Sequence, residues 1–335
     1  MGLFSKDLGV DLGTVNVLIY ENGQIVLQEP SLVALTTEEE TIVEIGQAAR
    51  EMLGRVDEED IQVIRPLRDG VIADYEVTEA MLRHFFDKVA GRIRMVKPTV
   101  MISVPYGVTS VEKRAVHEAA LSAGARRAFL IQEPLAAAIG AGLPVRTPAG
   151  DMVVNIGGGV TEAAILSMNN IIRAESGRVG GLRQDDAIIT YVRRKYNLSV
   201  GQPTAESIKI QVGAAVDLPE EMTMDVQGRD NVSGLPRTVT ISTSEVVEAL
   251  AEPLAVTAGV VKSVLSQTPP ELASDIIDRG IVLTGGGALL RGMDQFLTRE
   301  TGVPVYRAEN PMITVAVGAG RALEDEDFQR RTPQF

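Results

Sequence analysis

The sequence contains no cysteine, which removes disulfides, thiolate metal sites and cysteine nucleophiles together. That fits a reducing cytosol. Histidine is nearly as scarce: His84 and His117 are the only two, both fall in expected helices without metal-ligand spacing, and neither is assigned a role. Positive charge is in short supply. With 32 basic against 45 acidic residues the formal net charge is -13, so the chain repels phosphate backbones and nucleic acid is not an expected partner. Long apolar runs are missing too. The longest candidate, Phe129 to Val145, is interrupted by Gln132, Glu133 and two prolines, short of the ~20 residues that span a bilayer. The opening Met1-Gly2-Leu3-Phe4-Ser5-Lys6 lacks the apolar core and small-residue cleavage site of a secretory signal. A cytoplasmic protein is expected.

What is present suits a globular α/β protein. A chain of 335 residues exceeds one ordinary core, so two domains are expected. Strand and helix patterns alternate almost throughout. Leu8 to Tyr20 places two apolar runs around a glycine turn and reads as a β-hairpin. From Thr78 to Val89, Met81, Leu82, Phe85, Phe86 and Val89 share one helical face. Val100 to Val104 reads as a buried strand, followed by a helix opened by the capping box Thr109/Glu112 and closed near Gly124. Phe129 to Gln132 is a further strand, and Pro134 begins the next helix. Ser242 and Glu245 form a second capping box before a long helix kinked at Pro253. Ile281 to Thr284 is a strand running into three glycines and another helix.

An internal repeat organises these pieces. Val10-Asp11-Leu12-Gly13-Thr14 is echoed by Val154-Asn155-Ile156-Gly157-Gly158, each a strand, a polar residue, a glycine turn and a second strand. Two such units about 140 residues apart imply related halves facing one another, so that a ligand between them touches both turns. Pro144 to Gly150 is the expected crossing.

Phosphate oxygens are bound by Mg²⁺ and by backbone N–H groups, and glycine lets the backbone approach them closely. Two opposed turns, Gly13-Thr14 and Gly157-Gly158-Gly159, suit that task, although either alone is equally well only a turn. Asp11 stands where a strand meets its turn, a place for a carboxylate that holds hydrated Mg²⁺. Glu133 ends a strand and precedes Pro134, which favours an extended backbone there. It suits a carboxylate that orients water for attack on a γ-phosphate, and suits equally a helix N-terminal acid. Glu206 and Lys209, three apart on one helix face, fit ribose hydroxyls or a surface ion pair. Gly285-Gly286-Gly287-Ala288 offers a flat backbone ledge for a purine.

In this order, the elements resemble the actin, sugar-kinase and heat-shock chaperone ATPase superfamily. Within it the chain is similar to the MreB family of bacterial actin-like proteins over nearly its whole length. The runs that carry the resemblance are Asp11 to Asn16, Ile64 to Asp74, Glu133 to Gly140, Thr268 to Leu272, Asp275 to Gly280 and Leu283 to Gly292. The resemblance implies an actin-like ATPase fold of two related lobes, each a β-sheet flanked by helices with a smaller subdomain, and a nucleotide cleft between them. The lobes are expected at 1–146 with 315–335 (subdomain about 31–66) and at 147–314 (subdomain about 182–241). It also implies ATP or ADP with Mg²⁺ as ligands. Gly13, Thr14, Val15 and Asn16 would form the first phosphate loop; Gly157, Gly158, Gly159 and Thr161 the second. Glu133 would be the hydrolytic carboxylate. Glu206, Ser207, Ile208 and Lys209 would meet the ribose, and Gly285 to Ala288 the adenine end. Family members form antiparallel double filaments beneath the inner membrane and, with membrane-protein adaptors, guide wall synthesis.

Four positions depart from the family pattern. Asn155 stands where the second loop normally begins with aspartate, Val160 replaces a threonine, and Leu182-Arg183 replace two acids. Asparagine removes a negative charge near Mg²⁺ and the attacking water, a loss that typically slows turnover by about 10²–10⁴-fold. Nucleotide binding with slow hydrolysis is therefore expected; the rival is that Glu133 alone sustains ordinary turnover. Two segments suit an anionic membrane surface. One is the tip Leu3-Phe4 with Lys6. The other is Arg92 to Lys97, in which Met95 and Val96 are the residues the resemblance points to. Repetition along a filament would supply avidity. A sugar-kinase-like enzyme would require a substrate pocket in the cleft, and a chaperone-like ATPase a substrate-binding domain after Leu323; no segment reads as either.

Overall fold

The computed structural model describes residues 6–90 and 97–331. Its first sheet starts as a meander of β1 (Asp7–Leu12), β2 (Asn16–Glu21) and β3 (Gln24–Pro30), all antiparallel. The β2–β3 turn is Asn22-Gly23 with φ of 48° and 90°, the paired left-handed geometry whose twist matches a hairpin. A three-stranded sheet follows, β4 (Val33–Thr36), β5 (Ile42–Ile45) and β6 (Ile61–Ile64) in the order β5-β4-β6, with α1 (Gln47–Met52) against it. A small hairpin, β7 (Leu67–Arg68) and β8 (Val71–Ile72), turns at Asp69-Gly70. Helix α2 (Tyr75–Ala90) starts before the periodic stretch because the Asp74 carboxylate accepts the Val77 N–H at 3.0 Å, an N-cap bond. Then come β9 (Thr99–Val104), α3 (Ser110–Ser122) with the expected Thr109/Glu112 capping box, β10 (Arg127–Gln132) and α4 (Glu133–Gly140).

The second half repeats the scheme. A meander of β11 (Asp151–Ile156), β12 (Thr161–Ser167) and β13 (Asn170–Gly177) leads into α5 (Gly181–Tyr196), β14 (Leu198–Ser199) and α6 (Gln202–Val212). Strands β15 (Thr223–Asp230) and β16 (Pro236–Ser242) complete a small sheet β14-β15-β16. Helix α7 (Thr243–Ser266) runs through Pro253; it is long and apolar enough to cross a bilayer, yet Val246, Leu250, Leu254 and Val261 are buried in the core. After α8 (Pro270–Arg279) and β17 (Ile281–Thr284), the triglycine opens a 3₁₀ turn at Gly286–Leu289, not the helix expected there. The true helix, α9 (Met293–Thr301), begins after Gly292, whose φ is 69°. Strand β18 (Val305–Arg307) and helices α10 (Thr314–Glu324) and α11 (Glu326–Arg331) end the chain.

The two five-stranded sheets have one topology, β3-β2-β1-β9-β10 and β13-β12-β11-β17-β18. In both, the meander pairs antiparallel and the two later strands add in parallel beside its first strand. The repeat seen in two short segments thus extends to whole sheets. Each sheet has its own apolar core on one face. A third cluster joins them: Phe129 and Ile131 of β10, Val153 of β11 and Leu166 of β12 pack with α4 and α10. Those two helices lie close because Gly140 and Gly318 carry no side chain; a Cβ on either would overlap backbone of the other helix.

Candidate functional site

Both first hairpins turn in the same way. Gly13 N–H donates to Asn16 C=O at 3.1 Å, and Gly157 N–H to Val160 C=O at 2.8 Å. The two turns come together from opposite sheets. A Cβ on Gly158 would overlap Val15, and one on Gly159 would lie 2.7 Å from Thr14 Oγ1, so only glycine permits this approach. Thr14 Oγ1 accepts the Gly70 N–H at 2.9 Å, and Ser31 Oγ donates to Gly13 C=O at 2.6 Å. The first turn of α5 rests on the second loop, with Gly181 N–H on Gly157 C=O at 3.0 Å and Leu182 N–H on Gly158 C=O at 2.9 Å. Its dipole therefore ends positive at the cleft.

A cavity of about 460 Å³ opens beside these turns. Its lining includes Asp11, Gly13 to Asn16, Glu133, Asn155 and Gly157 to Gly159, with Glu206, Lys209 and Gly285 to Gly287 further out. Four residues expected here do not line it. Thr161 is fully buried and its hydroxyl donates to Val179 C=O at 2.7 Å. Ile208 packs in the second core, on the far side of α6 from Glu206 and Lys209. Ser207 lies toward solvent, where its hydroxyl accepts from Gln211 Nε2 at 2.9 Å. Ala288 turns into the core because the 3₁₀ geometry at the triglycine points it inward. Leu3, Phe4, Met95 and Val96 lie outside the described residues.

Acids dominate the cleft floor. Ser103 Oγ donates to Asp11 Oδ1 at 3.1 Å, yet burial pushes the Asp11 carboxyl up to about 6. Glu133 opens α4 at 6% exposure, and its Oε2 accepts from Asn155 Nδ2 at 3.3 Å. Burial first, then the charges of Glu162 and Asp11, raise it well above the ordinary carboxylate range. Glu162, opposite Asn155 on β12, is fully buried. Its Oε1 accepts the Tyr106 N–H at 2.6 Å, tying β12 of the second sheet to the loop after β9 of the first. Its Oε2 meets no protein donor, while its carboxyl lies against that of Glu133. One proton shared between the two acids satisfies both. Burial carries Glu162 up to about 7, against the Tyr106 N–H that holds it down.

These residues fit a hydrated Mg²⁺. Among the described residues no three acids or histidines form a metal cage. An ion beside Asp11 would thus take most of its ligands from water and phosphate, which is the habit of Mg²⁺. Asn155 is bound at both ends: beside its bond to Glu133, Oδ1 accepts the Thr284 hydroxyl at 3.2 Å. Of the other departures, Val160 and Leu182 line the cleft, whereas Arg183 turns toward Glu252 of α7 at 3.8 Å.

Glu206 and Lys209 do not pair with each other. Lys209 Nζ donates to Gly181 C=O at 2.8 Å and forms an ion pair with Asp185 Oδ1 at 2.7 Å, and burial lifts Asp185 to about 6 against the pull of Lys209. Glu206 pairs with Arg50 of α1. Arg50, Arg65, Gln184 and Asp185 all line the cleft and were not picked out from sequence. Arg65 lies within the quoted run Ile64 to Asp74, so its neighbourhood, though not its role, was visible.

A family model described as MreB/Mbl protein matches residues 5–331. The cell shape-determining protein MreB of Escherichia coli (strain K12) is 51% identical over 333 residues, 98% of this chain and 96% of the relative. Mbl of Bacillus subtilis (strain 168) is 49% identical over 326 residues, 97% of this chain and 98% of the relative. Among solved structures, MreB5 of Spiroplasma citri bound to ADP superposes with a TM-score of 0.90 at 38% identity, covering 95% of this chain and 96% of that one. The same protein bound to AMPPNP also gives 0.90, at 36% identity over 98% of this chain and 97% of that one.

Proposed function

Since this chain belongs to the MreB/Mbl family and has its actin-like fold, we propose that it is a nucleotide-binding filament subunit. In this reading it assembles on the inner face of the cytoplasmic membrane and organises wall synthesis and cell shape. The observation that carries the nucleotide reading is the meeting of two glycine turns from topologically identical sheets beside one cleft. The solved relatives with ADP and AMPPNP support it. We place one lobe at 1–146 with 315–335 and the other at 147–314, their small subdomains about 31–66 and 182–241. The return of α10 onto α4 and the two three-stranded sheets support that division.

The cleft residues divide the work as follows. Backbone N–H groups of Gly13 to Asn16 and Gly157 to Gly159 take phosphate oxygens, helped by the N-terminal end of α5. Asp11 would hold Mg²⁺ through water, and the ion would supply the charge that neutralises the phosphates. Glu206 and Lys209 face the ribose, and the glycine ledge Gly285 to Gly287 the base. Glu133 orients water. Asn155 fixes Glu133 by donating to it, in place of a second carboxylate that would orient or accept from the attacking water. Hydrolysis is therefore slow. Phosphate release from polymerising protein should rise about 10²-fold or more in Asn155→Asp; equal rates would remove Asn155 as the cause. Electron microscopy of purified protein with and without ATP tests assembly, and the absence of filaments in every nucleotide state would overturn the filament reading. Contact with lipid through Met95 and Val96 predicts weaker liposome co-sedimentation of the Met95→Ser, Val96→Ser double variant; unchanged binding removes that loop from the membrane surface.

A further inference from the structure

Arg50 and Glu206 sit on opposite sides of the cleft. Arg50 belongs to α1, on the β5-β4-β6 sheet of the first half; Glu206 belongs to α6 of the second. Arg50 Nη2 donates to Glu206 Oε2 at 2.6 Å, and both side chains line the cavity. Among the described residues no other protein hydrogen bond reaches the Glu206 carboxylate, which is partly exposed, so Oε1 is open to the cleft and to solvent. Lys209, the other residue on that face of α6, is held by Gly181 and Asp185 and does not compete.

We propose that Arg50 is a positioning residue for nucleoside recognition: it grips one oxygen of Glu206 and leaves the other turned to the ribose hydroxyls. The proposal rests on the nucleotide-binding reading above. A charge-assisted hydrogen bond from the guanidinium to one oxygen restrains how the carboxylate turns. Its charge is also balanced, which matters next to a ligand carrying several negative charges of its own. Ribose recognition by α6 thereby depends on α1, so the small sheet of the first half must lie over the cleft for the nucleoside to be held well. Ribose hydroxyls in turn donate to the free oxygen, and an analogue lacking them leaves it unpaired.

The experiment is a set of dissociation constants for ADP, 2′-deoxy-ADP and 3′-deoxy-ADP, measured by calorimetry on the full chain with Mg²⁺. The wild type should prefer ADP to at least one deoxy analogue by about tenfold or more, the scale of a hydrogen bond to a charged group. Arg50→Met, which keeps the apolar stem, should weaken ADP by about that factor and leave the disfavoured analogue nearly unchanged, so the preference collapses. Arg50→Lys should recover part of it, and its milder change guards against a folding defect. An Arg50 that merely staples the halves together would weaken all three ligands alike. That result, or a wild type that binds ADP without any preference, overturns the proposal. A wild type that binds no ADP overturns the nucleotide reading instead.

Discussion

At residue 155 an amide donates where a carboxylate would accept. Its Nδ2 meets Glu133 and its Oδ1 meets Thr284, so Asn155→Asp would set a fourth acid beside Asp11, Glu133 and Glu162. We expect the nucleotide-free variant to lose about 1–3 kcal/mol at pH 8, read from urea unfolding; a neutral or stabilising effect would contradict this account of the cleft floor. The pH dependence follows from Glu162. Burial raises its carboxyl from 4.5 to about 7, so between those values the folded chain binds more protons than the unfolded one. The stability that Glu162 contributes then falls as pH rises across that window, by up to about 1.4 kcal/mol per pH unit, and its share levels off above it. Burial raises Asp11, Asp185 and Glu133 as well, so Glu162→Gln, which keeps the acceptor for Tyr106, should make that slope shallower rather than remove it; an unchanged slope would assign it to those other acids. The contrast between Asp11 and Asn155 was legible in the sequence because the repeat aligns them. Glu162 and Arg50 were not legible, since each acts through a partner distant in sequence, Tyr106 and Glu206 respectively.

Elements with local signals were read well. The hairpin at Leu8 to Tyr20, the Thr109/Glu112 capping box and the helix opened at Pro134 all formed as expected. Errors came where tertiary contacts set the outcome. The triglycine became a 3₁₀ turn with Ala288 buried, and Thr161 and Ile208 took their directions from the sheet and the core rather than from the loop they adjoin. No sequence period distinguishes those choices. The contact of α4 with α10 also belongs to this scale. Gly318→Ala would press a methyl onto the Ala136 carbonyl, backbone that cannot rotate aside. A loss of about 1–3 kcal/mol is expected, measured by thermal unfolding; full tolerance would show that the helices slide apart at little cost.

For the molecule as a whole, the related halves and the cleft between them were anticipated from one short repeat, whereas the parallel addition of β17 and β18 could not be, because nothing local specifies which strand they join. If both halves grip one nucleotide, saturation must resist unfolding of each. ADP with Mg²⁺ at 100 times its dissociation constant should add about 2.7 kcal/mol to the unfolding free energy. A calorimetric scan with no shift in the transition would remove the nucleotide from the cleft.

The placement of α10 has a consequence for biosynthesis. Val315, Ala319 and Leu323 enter the cluster that covers Phe129 and Ile131, yet they are translated long after the strand they cover. A ribosome-bound chain stopped before Thr314 therefore leaves one face of its earliest sheet uncovered, with a surface suited to chaperones or to aggregation. That surface can close only after elongation has passed well beyond the first half of the chain.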